Sequence, residues 1–467
     1  MIDAYADFLA RKAVTAPPAG IETPGPMPRA LKPFQRDIVT WALRRGRAAI
    51  FAGTGLGKTL MQLSWADAVA RHTGGRVLIL TPLAVAQQTV AEAAKFSIAG
   101  VAYAPTQDQA DARIVVTNYD RLDRFDMDAF AAIVLDESSI IKAHDSKTKA
   151  ALIAACREVR FKLACTATPA PNDWAELGNH AEFLGAMSEK EMLAMFFVHD
   201  GSVRAHGDNE WRLKGHAERP FWEWVASWAV MIRSPADLGY DEPGYILPPL
   251  QRQQITVAVD YRPVAGALFP MEARTLQERL AARRESVADR AAAAARIVNA
   301  QPDRPWLVWC NLNAEADALM AAIPGAVEVR GSDPAELKAA RLIGFCKGEP
   351  RVLVTKPSVA GWGMNWQHCA DMVFVGLNDS FEQLYQAIRR CWRFGQTKPV
   401  NVYMIASELE GAVVANIEAK ERDFEAMGTA MAEHMRDLSR RAVRAGRVQH
   451  STYDANKKME IPGWLAA

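Results

Sequence analysis

The sequence predicts an α/β protein with two domains in tandem, each built on a parallel sheet. Three observations carry this reading. Short runs rich in Val, Ile, Leu and Ala recur at 48–52, 76–81, 113–117, 131–136 and 160–166, with stretches able to form helices between them. That alternation is the signature of β-α-β units in a sheet covered on both faces. A second series follows at 306–310, 326–330, 351–355, 372–375 and 400–405. The length, 467 residues, suits two large domains or three ordinary ones.

Composition narrows the class. Hydrophobic residues make up 50% and charged residues 23%, which excludes a disordered, collagen-like or coiled-coil chain. Fifty-five Lys and Arg against 54 Asp and Glu give a net charge of +1, so any nucleic-acid surface must be a local patch. The cysteines at 156, 165, 310, 346, 369 and 391 include no C-x-x-C pair. Reduced, mostly buried thiols in a cytoplasmic compartment are therefore expected, rather than zinc or disulfides. The first residues, Met-Ile-Asp-Ala-Tyr-Ala-Asp, lack the basic and apolar order of a secretory signal. The longest apolar runs, such as 224–232, are too short to cross a bilayer. No membrane partner is expected.

Between the two series lies 185–250, which holds Trp211, Trp222, Trp224 and Trp228 and ends in Ile-Leu-Pro-Pro-Leu. Consecutive prolines cannot continue a helix, so the domain linker is expected there. Its tryptophans suit the packing of a small subdomain; a strand-separating wedge, with His206, Trp211, Arg212 and Lys214 near a hairpin, is the alternative. An Ala- and Arg-rich stretch without Pro or Gly predicts a long helix over 274–300. Arg436, Arg440, Arg441, Arg444 and Arg447 punctuate a C-terminal helix, as a solvated face or a phosphate-binding one. The expected division is 1–184 for a first domain, 185–250 for an insertion and linker, 251–430 for a second domain and 431–467 for a basic helical tail.

The chemistry begins at Ala52-Gly53-Thr54-Gly55-Leu56-Gly57-Lys58-Thr59, which follows a predicted strand and opens a predicted helix. That is the context of a phosphate-binding loop. Glycines let backbone N–H groups turn inward around a β-phosphate, and the helix N-terminus adds its dipole. Lys58 can reach the β- and γ-phosphates, and the Thr59 hydroxyl can ligate Mg²⁺. ATP and Mg²⁺ are the implied ligands. Asp136 and Glu137 end the strand at 131–135, and the carboxyl ends of parallel strands face the ligand crevice. Asp136 is placed to hold Mg²⁺ through water, and Glu137 to orient or deprotonate the attacking water.

With Thr166-Ala167-Thr168-Pro169 next in line, the chain resembles the superfamily 2 DEAD/DEAH-box helicases and translocases. Residues 52–59 match that family's motif I, which includes Ala in first place. Asp136 to Ser139 stand at motif II, with Ser-Ser replacing the usual Ala-Asp or Ala-His. Residues 166–168 match motif III, and Phe34-Gln35 looks like the adenine-reading Q motif. Thr81-Pro82 resembles motif Ia, and Thr117-Asn118-Tyr119 the next strand-contacting motif. In the second half, Trp309-Cys310-Asn311 sits loosely at motif IV, and Gly361-Trp362-Gly363-Met364-Asn365 resembles motif V. Residues 386–396, Gln-Ala-Ile-Arg-Arg-Cys-Trp-Arg-Phe-Gly-Gln, resemble motif VI of the Swi/Snf-like branch.

The resemblance implies two RecA-like domains with an ATP cleft between them. It implies Arg390 and Arg393 as arginine fingers completing a set with Lys58, Asp136 and Glu137, and nucleotide contacts from Gln35, Gly53, Thr54, Gly55, Gly57, Lys58, Thr59 and Gly363. Thr81, Pro82, Thr117, Asn118, Thr168 and Asn365 are implied as contacts to nucleic-acid phosphates, hence sequence-independent and salt-sensitive. The expected activity is that of an ATP-dependent DNA helicase or duplex translocase of minimal, bacterial or phage type. An ATP-gated clamp without movement is the alternative, and a P-loop kinase or unrelated NTPase would leave 386–396 unexplained. Replication, recombination and restriction partners all remain open.

Overall fold

The computed structural model describes residues 16, 18–82, 85–142, 147–170, 173–199, 211–258, 283–360, 364–378 and 380–445. The first sheet takes β1 (Arg47–Ala52), β2 (Arg76–Thr81), β3 (Val101–Tyr103), β4 (Ile114–Asn118), β5 (Phe130–Asp136) and β6 (Phe161–Thr166). Two short strands, β7 (Phe197–His199) and β8 (Trp211–Leu213), then form a separate antiparallel ribbon. The chain next returns to the first sheet as β9 (Ala229–Ile232), giving the order β3-β4-β2-β5-β6-β1-β9 with every pairing parallel. The second sheet joins β10 (Leu250–Val257), β11 (Trp306–Cys310), β12 (Val327–Val329), β13 (Val352–Thr355), β14 (Asp371–Val375) and β15 (Val400–Ser407). Their order is β10-β15-β14-β11-β13-β12, again all parallel. The molecule is thus an α/β protein of two RecA-like domains.

Helices connect these strands. In the first domain they are α1 (Pro33–Arg45), α2 (Lys58–Thr73), α3 (Ala86–Lys95), α4 (Lys147–Ala155), α5 (Leu177–Leu184), α6 (Glu189–Phe196) and α7 (Glu218–Trp228). The second half adds α8 (Val287–Asn299), α9 (Asn313–Ala322), α10 (Ala335–Cys346), α11 (Pro357–Ala360), α12 (Phe381–Ile388) and α13 (Gly411–Ala445). The central strands read as near-continuous apolar runs because both faces are covered; β5 and β6 bury all or nearly all of their residues. Five of the six cysteines are buried, and Cys346 is exposed.

Three features differ from the sequence expectation. The 185–250 stretch is largely part of the first domain. Phe221, Trp222, Trp224 and Trp228 of α7 are buried in its core beside Phe196 and Phe197, and β9 becomes an edge strand next to β1. Only the segment after Ile232 crosses to the second sheet. The largely apolar run 224–232 hid this boundary, because helix and strand share it with no turn residue between them. The ribbon pairs Phe197–His199 with Trp211–Leu213, and His206 lies outside the described residues.

The long Ala-rich helix is present as α8, and 274–282 lie outside the described residues. The C-terminal helix begins at Gly411, much earlier than expected, and runs from one domain to the other. Val413, Val414 and Ile417 belong to the second core, while Met431, Met435 and Val443 belong to the first. Its arginines are mostly tethers rather than a free basic face. Arg440 donates to the carbonyls of Asp237 (2.8 Å) and Ala236 (2.9 Å), Arg444 donates to that of Leu238 (3.4 Å), and Arg436 pairs with Asp237 at 3.8 Å. Arg447 lies outside the described residues.

Charge is also buried inside the second domain. Arg290 of α8 is fully buried and donates to Glu315 of α9 at 2.6 Å, with Glu410 at 3.6 Å. Glu315 in turn accepts the N–H groups of Asn311 (2.7 Å) and Leu312 (2.9 Å) at the start of α9. Removing one member strands the other charge in low dielectric, which typically costs about 3–5 kcal/mol. Glu315→Ala leaves Arg290 with Glu410 alone and should still destabilise the protein by about 3 kcal/mol in urea unfolding; a loss below about 1 kcal/mol would mean that Glu410 by itself balances the buried guanidinium.

Candidate nucleotide site

The phosphate-binding loop is shaped by backbone geometry that only glycine adopts cheaply. Gly55 has φ +91° and Gly57 φ +81°. Gly57 is the N-cap of α2, so the free N–H groups of the first turn face the crevice. A Cβ on Gly57 would stand 2.3 Å from the Gln35 amide nitrogen. That amide donates to the Leu56 carbonyl (2.8 Å), and its oxygen accepts the Lys32 N–H (2.9 Å). Gln35 therefore braces the loop as well as lining the cleft. From the other side, the Gly53 N–H donates to Ile232 of β9 at 3.0 Å. The Lys58 ammonium donates to the Ala52 carbonyl at 3.0 Å.

The acidic pair sits at the end of β5. Asp136 is buried, and Gln62 of α2 donates to its Oδ1 at 2.6 Å. Tyr119 donates to its carbonyl at 2.7 Å. Burial, and then the charge of Glu137, push the Asp136 carboxyl up to about 7, against the Gln62 hydrogen bond and the Lys58 charge. Glu137 itself takes φ +51°, a rare conformation for a residue with a side chain. One residue on, the Ser138 hydroxyl is hydrogen-bonded to His180 Nε2 at 3.0 Å.

The second domain supplies cations. Arg390 is buried; it donates to Gln386 Oε1 (3.1 Å) and to the carbonyls of Gln386 (2.9 Å) and Met364 (3.4 Å). Arg393 donates to the same Met364 carbonyl at 3.4 Å, and its Nε has no hydrogen-bond partner among the described residues. Burial and then the charge of Arg393 push Arg390 down to about 10, while Glu137 and Asp136 pull it back up. Burial also lowers Arg393, against the charges of Glu92 and Glu137. Both guanidiniums thus sense the acidic residues of the other domain. Gln396 pins the turn after α12 by donating to Gln367 (3.0 Å), Cys369 (3.1 Å) and Cys391 (3.3 Å). The domains also touch directly. A Cβ on Gly55 would lie 2.8 Å from the Phe394 nitrogen, and Phe394 stacks on Tyr245 at 4.4 Å.

These groups line one cavity of about 420 Å³, which gathers Gln35, Thr54, Gly55, Gly57, Lys58, Thr59, Asp136, Glu137, Arg390 and Arg393. The donor set fits a magnesium triphosphate: a cradle with no room for Cβ atoms, a lysine, the Thr59 hydroxyl and a buried carboxylate. Gly53 faces a neighbouring cavity on the far side of the loop, and Gly363 lies outside the described residues.

The implied nucleic-acid contacts fare differently. Thr81, Thr117, Asn118 and Thr168 are buried, so their side chains do not form a surface in this arrangement. They stand where the sheet ends pack under the loops that follow. Thr81 donates to the Pro82 carbonyl at 3.1 Å, and Thr168 donates its N–H to Thr166 at 3.1 Å. Pro82 is half-buried. Asn365 lines the nucleotide cavity instead. Sequence reasoning missed Gln62, His180 and Tyr245, none of which belongs to a short motif, and it placed Tyr119 in a strand-contacting motif where the structure has it donating to the Asp136 carbonyl.

Residues 32–177 match the DEAD/DEAH box helicase family. The match runs from the residue before α1 to the first residue of α5, and so covers the phosphate-binding loop and the acidic pair. None of the curated proteins compared with the chain matches it.

His180 offers a measurable handle on this region. Burial pushes its imidazole down to about 4 from an ordinary 6.5. The unfolded chain then binds more protons between those values, so stability is present above about 6.5 and lost as pH falls toward 4. Wild type should lose up to about 3 kcal/mol relative to His180→Leu between pH 7 and pH 4 in parallel urea melts. Parallel stability curves for the two proteins would contradict a neutral, buried ring.

Proposed function

We propose that the chain is a nucleic-acid-dependent ATPase of the helicase and translocase type, moving along DNA, with one nucleotide shared by two domains. The observation that carries this reading is the single cavity in which Lys58, Thr59, Asp136 and Glu137 of the first domain meet Arg390 and Arg393 of the second. The match over 32–177 supports the ATPase and helicase part.

In this reading the loop N–H groups and Lys58 bind the phosphates. Thr59 and Asp136 would hold Mg²⁺, which supplies charge neutralisation at the β- and γ-phosphates. Glu137 orients the attacking water and takes up its proton. Arg393, with an uncommitted Nε, is the better placed finger, while Arg390 spends three hydrogen bonds on Gln386 and Met364 and shapes the arginine turn. Because the site is split, nucleotide binding favours the closed pair of domains and product release lets them part. Nucleic acid held by both domains would be gripped in alternation.

Movement on duplex without strand separation is favoured by the Swi/Snf-like form of 386–396. A clamp that closes on ATP without moving is the second reading; it keeps the same site and differs in lacking coupled displacement.

Lys58→Ala should abolish hydrolysis. Arg393→Ala should retain nucleotide binding and lose about a thousandfold in kcat; normal turnover in either variant would defeat the shared-site assignment. ATPase should rise on adding DNA, and triplex displacement without duplex unwinding is the expected signature of a translocase. Hydrolysis indifferent to single-stranded, duplex and branched DNA and to RNA would return the chain to the unrelated NTPases.

A further inference from the structure

A histidine outside every short motif touches the acidic turn from behind. His180 of α5 is wholly buried, and its ring bridges two functional segments. Nε2 is 3.0 Å from the Ser138 hydroxyl. The ring also meets Phe51 edge-to-face at 5.1 Å, and Phe51 lies in β1, the strand that delivers the phosphate-binding loop.

The turn it touches needs bracing. Glu137 is held at φ +51°. Such a conformation in a residue with a side chain costs of order 1–3 kcal/mol and persists only where the surroundings over-determine it. Gln62 and Tyr119 grip Asp136, on the upstream side of the strained residue. His180 grips Ser138, immediately downstream. A neutral ring can keep this bond without bringing a charge into the core. The pairing is also specific, since motif II carries Ser138 where the helicase pattern has Ala.

We propose that His180 is a positioning residue for hydrolysis: through Ser138 it holds Glu137 in the left-handed conformation that keeps its carboxylate on the cleft wall. The proposal rests on the ATPase reading above. His180 does not line the nucleotide cavity, and so it acts on the rate rather than on nucleotide affinity.

The test compares His180→Leu, Ser138→Ala and the double variant in steady-state ATP hydrolysis. Each single change should lower kcat roughly ten- to hundredfold, the worth of one buried hydrogen bond, with KM for ATP within about threefold of wild type. The double variant should be no slower than the slower single one, because the two groups act as a unit. His180→Gln, which can still bond Ser138, should recover most of the loss. Unchanged kcat in Ser138→Ala, losses that multiply in the double variant, or a loss confined to KM would each overturn the proposal. Ser138→Ala keeps the core filled, so it decides the matter even if His180→Leu folds poorly. The ATPase reading is judged separately, by whether wild-type hydrolysis depends on Lys58.

Discussion

Two guanidiniums packed side by side in a protein interior repel one another, and here the counter-charge comes from the other domain. Arg393 disfavours the charge on Arg390 and Arg389 that on Arg393, and Glu137 opposes both effects, joined by Asp136 at Arg390 and by Glu92 at Arg393. In low dielectric such interactions are strong and the desolvation of each charge is expensive. Each half of the cleft is therefore electrostatically incomplete, and the two halves complete one another when they approach. A polyanion entering between them would change that balance.

The cleft needs a frame that sets its width. The first sheet is completed by β9, a strand that follows α7 and lends its Ile232 carbonyl to the N–H of Gly53. From there the chain passes Tyr245, whose ring lies against Phe394 and edge-on to Phe34. It then enters the second sheet at β10. It comes back as α13, a continuous helix of 35 residues that spans about 50 Å. With apolar residues of α13 sunk in both cores, the domains are joined by a linker on one pass and a stiff rod on the other. Arg252 of β10 pairs with Glu421 on that rod, which ties the two crossings together.

Much of the fold was legible because parallel strands advertise themselves as apolar runs, and ten of them, nine central strands and the edge strand β12, lie within a residue or two of their expected places. The strands that escaped are marginal for physical reasons. β3 has only three residues. β10 is a polar edge strand, reading Leu-Gln-Arg-Gln-Gln-Ile-Thr-Val, whose side chains are mostly exposed. β9 shares an apolar run, interrupted only by Ser227, with the helix before it. The arginines of α13 looked like a solvated or phosphate-seeking face because sequence does not reveal which carbonyls a cation will meet.

What the sequence determined by itself is the local chemistry of the site. Glycine spacing dictates the loop, Lys58 and Thr59 follow it directly, and Asp136 and Glu137 end a strand. Each depends on neighbours a few residues away. Tertiary structure decided everything that depends on distant partners. It brought Gln62 to Asp136 across 74 positions and His180 to Ser138 across 42. It buried Thr81, Thr117, Asn118 and Thr168, and it set two arginines opposite two carboxylates from another domain. Burial and long-range charge are properties of the packed chain, because the dielectric around a side chain is set by whatever the fold puts beside it.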